Sequence, residues 1–298
     1  MEFLHNALLN NLLGLLVFFL LILSVASLWI RKTVWLWGSL FILSYLLAFQ
    51  TKIATPLSII PVLLLAAGHW TLSRQVTGPS RFILVSLITL LSFALWMHLV
   101  PGFHNWELLH KVRLSPDAVP YSLWLNFDKP LTGLFPLAFA IPLITTKGSL
   151  KKWAKIAIPL SILGVIIMIA LSLSTDIVKW DPKLPPFTLV WLIENLLLVS
   201  LIEEAFLRGF LQRELCTAFG GVGWKANVGA VVATALIFAL LHIAFVNTIS
   251  FLCLAFVAGL IYGGIYQYTK AIESSIFCHF LLNVTHLFLF TYPAVAHA

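Results

Sequence analysis

Apolar runs near or above the roughly 20 residues needed to cross a bilayer recur along almost the whole chain. Charged residues occupy only 10% of the 298 positions, against roughly 25% in ordinary soluble domains. A chain of this kind folds in lipid, where backbone polar groups must be satisfied within helices or closed barrels. The fold class it predicts is all-α, a polytopic transmembrane helix bundle of about 8 to 10 helices. That length leaves no room for a large soluble domain.

The spans centre near Leu20, Phe41, Pro61, Leu91, Ala138, Leu163, Leu198, Leu236, Leu260 and Leu282. The third and fifth signals are the weakest, because Pro56 and Pro61 interrupt one and Pro136 and Pro142 the other, so either could be re-entrant. The first run, Leu12 to Ile30, lacks the cationic start and small-residue cleavage site of a signal peptide and reads as a retained helix. His104 to Lys129 is the longest polar interval and reads as a loop over the membrane surface.

The formal charge of +7 comes from 18 Lys and Arg residues scattered through short loops, without a basic face. Nucleic acid is thereby excluded as a partner, and the cations become a topology signal. If all ten runs cross, the loops after odd-numbered helices hold Arg31, Lys32, Arg74, Arg81, Lys147, Lys151, Lys152, Lys155, Arg213, Lys225 and Lys270. The opposite side holds fewer, several offset by acids, which puts the odd loops in the cytoplasm and both termini outside. Cys216, Cys253 and Cys278 form no CxxC pair and read as small buried hydrophobes. Asp181 to Pro186 interrupts the chain and divides it into an N-terminal bundle, 1–186, and a C-terminal core, 187–298.

That core carries the unusual residues. Glu203, Glu204 and Arg208 lie in an otherwise apolar span, where each charge costs about 2.5 to 3.5 kcal/mol and is a functional hypothesis by default. On a regular helix Glu204 and Arg208, four apart, share a face and can pair, while Glu203 is rotated by about 100°. The alternative is a charge pair at a helix end that snorkels to water. His242 sits in the next apolar helix, and His279 and Asn283 share one face of the last, with His286 extending the stripe. A lone histidine in such a helix is more often a hydrogen-bonded interior residue than a catalyst, and the alternative for the His279 and Asn283 stripe is interhelical hydrogen bonding. Together they supply the groups that water activation and oxyanion stabilisation require.

Glu203, Glu204 and Arg208 fit an EExxxR motif, Phe238 and His242 an FxxxH motif, and His279 and Asn283 an HxxxN motif, in that order. In these motifs residues 187 to 290 resemble the CAAX-protease and bacteriocin-processing (CPBP) family of glutamate-type intramembrane proteases, and within it the core of the Rce-type CAAX prenyl endopeptidases. Ahead of the core, Leu125, Asn126, Phe127, Asp128 and Lys129 are similar to a segment of some bacterial members. The resemblance implies catalytic Glu203 and His242 activating a water, His279 and Asn283 stabilising the oxyanion, and Glu204 and Arg208 supporting the site. Burial would raise the Glu203 pKa towards neutrality, which suits a general base.

No cofactor is implied. Zinc held by Glu203, His242 and His279 is the alternative, without an HExxH motif to support it. Ser275 and His279 could pair, although a helical Ser usually bonds to its preceding turn. Cys278 points about 100° away from His279. Gly259 and Gly263, preceded by Ala255, fit close helix packing; Gly220, Gly221 and Gly223 fit a turn; and Trp35, Trp37, Trp180 and Trp191 fit interfacial belts.

The leading function is therefore an intramembrane endopeptidase acting on a membrane-associated peptide or protein, in contact with membrane lipid, with the bacterial inner (plasma) membrane as the expected location. A non-catalytic immunity or scaffold protein using the same polar cluster for binding is the rival, and a proton-coupled transporter the third class.

Overall fold

The computed structural model describes residues 11–74, 76–221, 223–243 and 248–296. Among the described residues the apolar runs form these helices: α1 (Leu12–Ile30), α2 (Val34–Gln50), α3 (Ile59–Leu72, entered through a 3₁₀ turn at Pro56–Ser58), α4 (Gly78–Trp96), α5 (Leu131–Phe139), α6 (Lys147–Ser174), a composite α7 (188–218), α8 (Trp224–Leu241), α9 (Ile249–Thr269) and α10 (Ile272–Leu289). These ten helices match the expected bundle. Six of them, α1, α4, α6, α8, α9 and α10, are long and apolar enough to cross a membrane, and the protein is an integral membrane protein. A regular α-run of that length is missing from α7 because π-turns interrupt it.

Four expectations change. The fifth apolar run gives only the nine-residue α5, about 14 Å long and too short to span; Pro142 and the residues beside it lie outside the helix. The polar interval is a hairpin, β1 (Trp106–Val112) paired with β2 (Tyr121–Leu125), so a small sheet accompanies the helices. Its alternation of buried and exposed residues in β2 explains why hydropathy alone missed it. Trp35 and Trp180 are exposed, as residues of an interfacial belt must be, but Trp37 and Trp191 are buried core residues. Of the three free cysteines only Cys278 is buried; Cys253 is exposed.

The contacts divide the chain into two compact units. The first takes the described residues up to Leu108, with Leu123–Leu143 and Leu197–Phe206. In it α1 packs on α2, α3 packs on α4 and α5, and α5 packs on the Leu201–Glu204 turn of α7. Gly133 permits that last approach, since a Cβ there would stand 2.9 Å from Ile202 Cα. Lys32, expected as a loop cation, donates from Nζ to the Leu137 carbonyl 2.6 Å away and to that of Ile141, capping the C-terminal end of α5.

The second unit takes Leu109–Ser122, Ile144–Leu196 and Leu207–Ala298. Here α9 packs on α6, α8 and α10, and α6 also packs on α10. A Cβ at Gly259 would lie 2.9 Å from Ala235 Cα, so the glycine spacing does bring α9 onto α8. Gly220, Gly221 and Gly223 all have positive φ, as the α7–α8 turn demands. After α10 the chain is stitched to its neighbours by backbone bonds from Thr291 to Lys179, from Val295 to Ile177 and from Val119 to Ala294. Beside this tail Tyr121 and Tyr292 meet edge to face, with ring centres 5.2 Å apart. Burial pushes both phenols above their ordinary pKa.

Candidate active-site residues

The helix that presents the acids is irregular where they sit. Leu201–Glu204 is a short α-turn between two π-helical stretches, Asn195–Ser200 and Ala205–Gln212. A π-turn closes on the fifth residue instead of the fourth, and such turns occur often at functional sites.

In the first unit Glu203 is 5% exposed and Glu204 fully buried. Lys129 Nζ donates to Glu203 Oε1 at 2.6 Å, an ion pair across 74 residues of sequence. The same ammonium lies 4.8 Å from the centre of the Trp96 ring. Trp96 is itself held, since its indole N–H donates to Thr132 Oγ1 at 2.8 Å and the Thr132 hydroxyl donates to the Lys129 carbonyl at 2.8 Å. Phe206, three residues after Glu203, meets the Phe93 and Trp96 rings.

The segment before Lys129 is equally tied. Asp128 is buried, accepts the Lys129 backbone N–H at 2.8 Å and meets His98 Nδ1 at 2.7 Å. Asn105 Oδ1 accepts the Phe127 N–H at 2.9 Å. The segment Leu125 to Lys129, whose similarity to some bacterial sequences gave it no role, thus places a cation on a buried acid.

In the second unit Arg208 is fully buried. Its Nη2 donates to the Gly259 carbonyl at 3.2 Å, and its guanidinium lies 4.9 Å from the Phe238 ring centre and 5.3 Å from that of Tyr262. One turn on, Gln212 Nε2 donates to the Gly263 carbonyl at 3.2 Å. The glycines expose carbonyls to two polar side chains of α7 as well as admitting α8.

His279 is 4% exposed and stacks on Tyr262, with ring centres 4.7 Å apart and planes 15° from parallel; Phe238 meets it edge-on at 5.9 Å. His242 is the C-cap of α8 and not a residue of its interior as expected. Its ring centre lies 4.3 Å from that of Phe238. His242 Nδ1 is 2.8 Å from the Phe238 carbonyl. A carbonyl only accepts, so Nδ1 carries the proton and Nε2 of the neutral ring is left as the acceptor. Phe238 thus gathers Arg208, His242 and His279 around one ring.

Asn283 Nδ2 donates to Asn195 Oδ1 at 3.1 Å, at the first π-stretch of α7. His286 does not extend the site, because its Nε2 bonds to the Thr291 carbonyl at 3.2 Å and its ring packs on Tyr292. Ser275 donates to the Ile272 carbonyl at 3.0 Å, the preceding-turn bond that competes with a Ser–His pair. Among the described residues no group of three or more His, Cys, Asp or Glu side chains is arranged to hold a metal ion. Lys129, Asn195, Tyr262 and Gln212 escaped the motif reading. Tyr262 and Gln212 lie at helix positions where aromatics and amides are ordinary, and the only signal for Lys129 was the unassigned segment that contains it.

A search of the curated proteins and a search of the solved structures each found no match. Residues 185–285 match the family model described as type II CAAX prenyl endopeptidase Rce1-like. Glu203, Glu204, Arg208, His242, His279 and Asn283 all fall inside that match, and Lys129 falls outside it. Residues 185–285 of this integral membrane protein, about a third of the chain, are therefore similar to the type II CAAX prenyl endopeptidase Rce1-like family.

Proposed function

We propose that the protein is an intramembrane endopeptidase that hydrolyses a peptide bond of a membrane-associated peptide or protein, with residues 187–298 as its catalytic core. Glu203 and His242 take a proton from a water, which adds as hydroxide to the scissile carbonyl carbon. Charge develops on the carbonyl oxygen, and donors from His279 and Asn283 stabilise it. Collapse of the tetrahedral intermediate breaks the C–N bond, and the proton passes to the departing amine. Glu204 and Arg208 support the site, and the mechanism uses no cofactor. The reading requires Glu203 and His242 to reach one water.

One observation carries this reading: all six polar residues lie inside the segment matched to a protease family. The tautomer that leaves His242 Nε2 as an acceptor supports a role in proton transfer. Its location in this reading is the bacterial inner (plasma) membrane, and the cation distribution along the chain supports an orientation with the α7–α8 turn in the cytoplasm.

The test is mass spectrometry of membrane peptides from cells producing the wild type or Glu203→Gln. Products present only with the wild type are the expected result. Identical peptide populations would favour an immunity or scaffold protein, or a proton-coupled transporter.

A further inference from the structure

We propose that Lys129 is a positioning residue for Glu203, holding its carboxylate in one orientation by a buried ion pair from outside the family segment. The proposal rests on Glu203 being the base assigned above, but the contact can be tested without that role.

Lys129 is not placed to serve its own helix. It stands two residues before the start of α5, at the positive end of a helix dipole, where a cation is unfavourable and an anion favourable. Its side chain is only 16% exposed. A cation in that place needs an acid, and Glu203 Oε1 is 2.6 Å away. Three further contacts remove its freedom: the Trp96 ring at 4.8 Å, the Thr132 hydroxyl on its carbonyl, and Asp128 on its backbone N–H. Gly133 then sets the depth of the approach by admitting Ile202 Cα, one residue from the acid.

The consequence for Glu203 is geometric. A carboxylate on a long side chain has three torsions, and without a fixed partner it samples several of them. A charge-assisted bond at 2.6 Å to an immobilised ammonium selects one. A misplacement of about 1 Å in a reacting group can cost about 100-fold in rate, so an orienting contact outside the motif is worth that much.

The experiment uses the full-length protein in lipid bilayers, with wild type, Glu203→Gln, Lys129→Met and Lys129→Arg. Infrared difference spectra first identify the Glu203 carboxyl bands by their loss in Glu203→Gln. Those bands should move in Lys129→Met, and unmoved bands would overturn the proposal whatever the protein's activity. Product formation, measured on a peptide found by the membrane-peptide comparison, should fall about 100-fold in kcat for Lys129→Met with KM within about 2-fold. Lys129→Arg, which keeps the charge, should recover at least about a tenth of the wild-type rate. Wild-type kcat in Lys129→Met would overturn the proposal. Absence of product from the wild type would defeat the protease assignment alone, leaving the infrared result to decide the ion pair. Lys129→Gln takes the place of Lys129→Met if the latter does not accumulate in the membrane.

Discussion

The two units treat their polar residues differently. In the second, motif residues are held by contacts from the matched segment: Gly259 and Tyr262 for Arg208, Tyr262 and Phe238 for His279, Asn195 for Asn283, and the Phe238 carbonyl for His242. In the first, Glu203 is held by Lys129, which lies ahead of that segment and next to the short helix α5. The difference teaches that the matched segment draws on the rest of the chain. Its histidines and asparagine carry their own support, whereas its acid takes a charge partner from the N-terminal part of the chain.

The largest effects test whether both kinds of residue belong to one reaction. Glu203→Gln and His242→Ala should each leave no measurable product. Asn283→Ala should lose about 10² to 10³ in turnover and keep a trace, as removal of one oxyanion donor does. Equal residual activity in all three, measured on the reconstituted protein, would erase the distinction between water activation and oxyanion stabilisation.

Next comes folding. Arg208→Ala removes a fully buried cation with its bond to the Gly259 carbonyl and its packing on two rings, and should lower stability by about 1.5 to 3 kcal/mol, the usual loss for a hydrogen bond to a charged group. Asn283→Ala should cost much less. Yields and melting temperatures that do not separate the two variants would count against Arg208 as the support of the second unit.

The glycines sharpen the comparison further. Gly259→Val and Gly133→Val both insert atoms where even a Cβ would lie 2.9 Å from a backbone carbon. Each should cost about 1 to 3 kcal/mol by overpacking. Only Gly133→Val should also weaken the coupling of Lys129 to Glu203, seen as a loss of the difference between Lys129→Met and wild type when both carry it. Unchanged coupling would mean that α5 does not set the ion-pair geometry.

The smallest effect is at alkaline pH. Tyr121 and Tyr292 have raised pKa values because burial penalises the phenolate. The unfolded chain ionises them first, so their contribution is complete below pH about 10 and is lost as pH rises from there towards the folded values. Replacing both by Phe should flatten the alkaline limb of stability against pH while leaving the neutral region nearly unchanged. An alkaline limb that keeps its slope would assign the loss to other groups.

The helices and the motif residues were legible because both are local signals. Apolar length marks α1, α4, α6, α8, α9 and α10, and a charge inside such a run marks Glu203, Glu204 and Arg208. The glycine spacing at Gly259 and Gly263 was legible for the same reason. What escaped depends on structure at a distance or on backbone irregularity. Lys129 and Glu203 are 74 residues apart, and no periodicity links them. The π-turns on either side of Leu201–Glu204 leave no mark in composition, since the same residues serve α- and π-turns. His242 lies one residue past the end of α8 although the apolar run continues to Ile243, because hydropathy records burial and not hydrogen bonding.

The central claim is that Glu203 acts as the base of a metal-independent peptide hydrolysis, and a single reconstitution tests it most directly. Purified wild type and Glu203→Gln are assayed in lipid vesicles with one product peptide, before and after exhaustive treatment with a strong chelator, with metal content measured in parallel. The account predicts product from the wild type at the same rate on both sides of the chelator step and none from Glu203→Gln. One zinc per chain, with activity that disappears on its removal and returns with its restoration, would make Glu203 a ligand and contradict the mechanism.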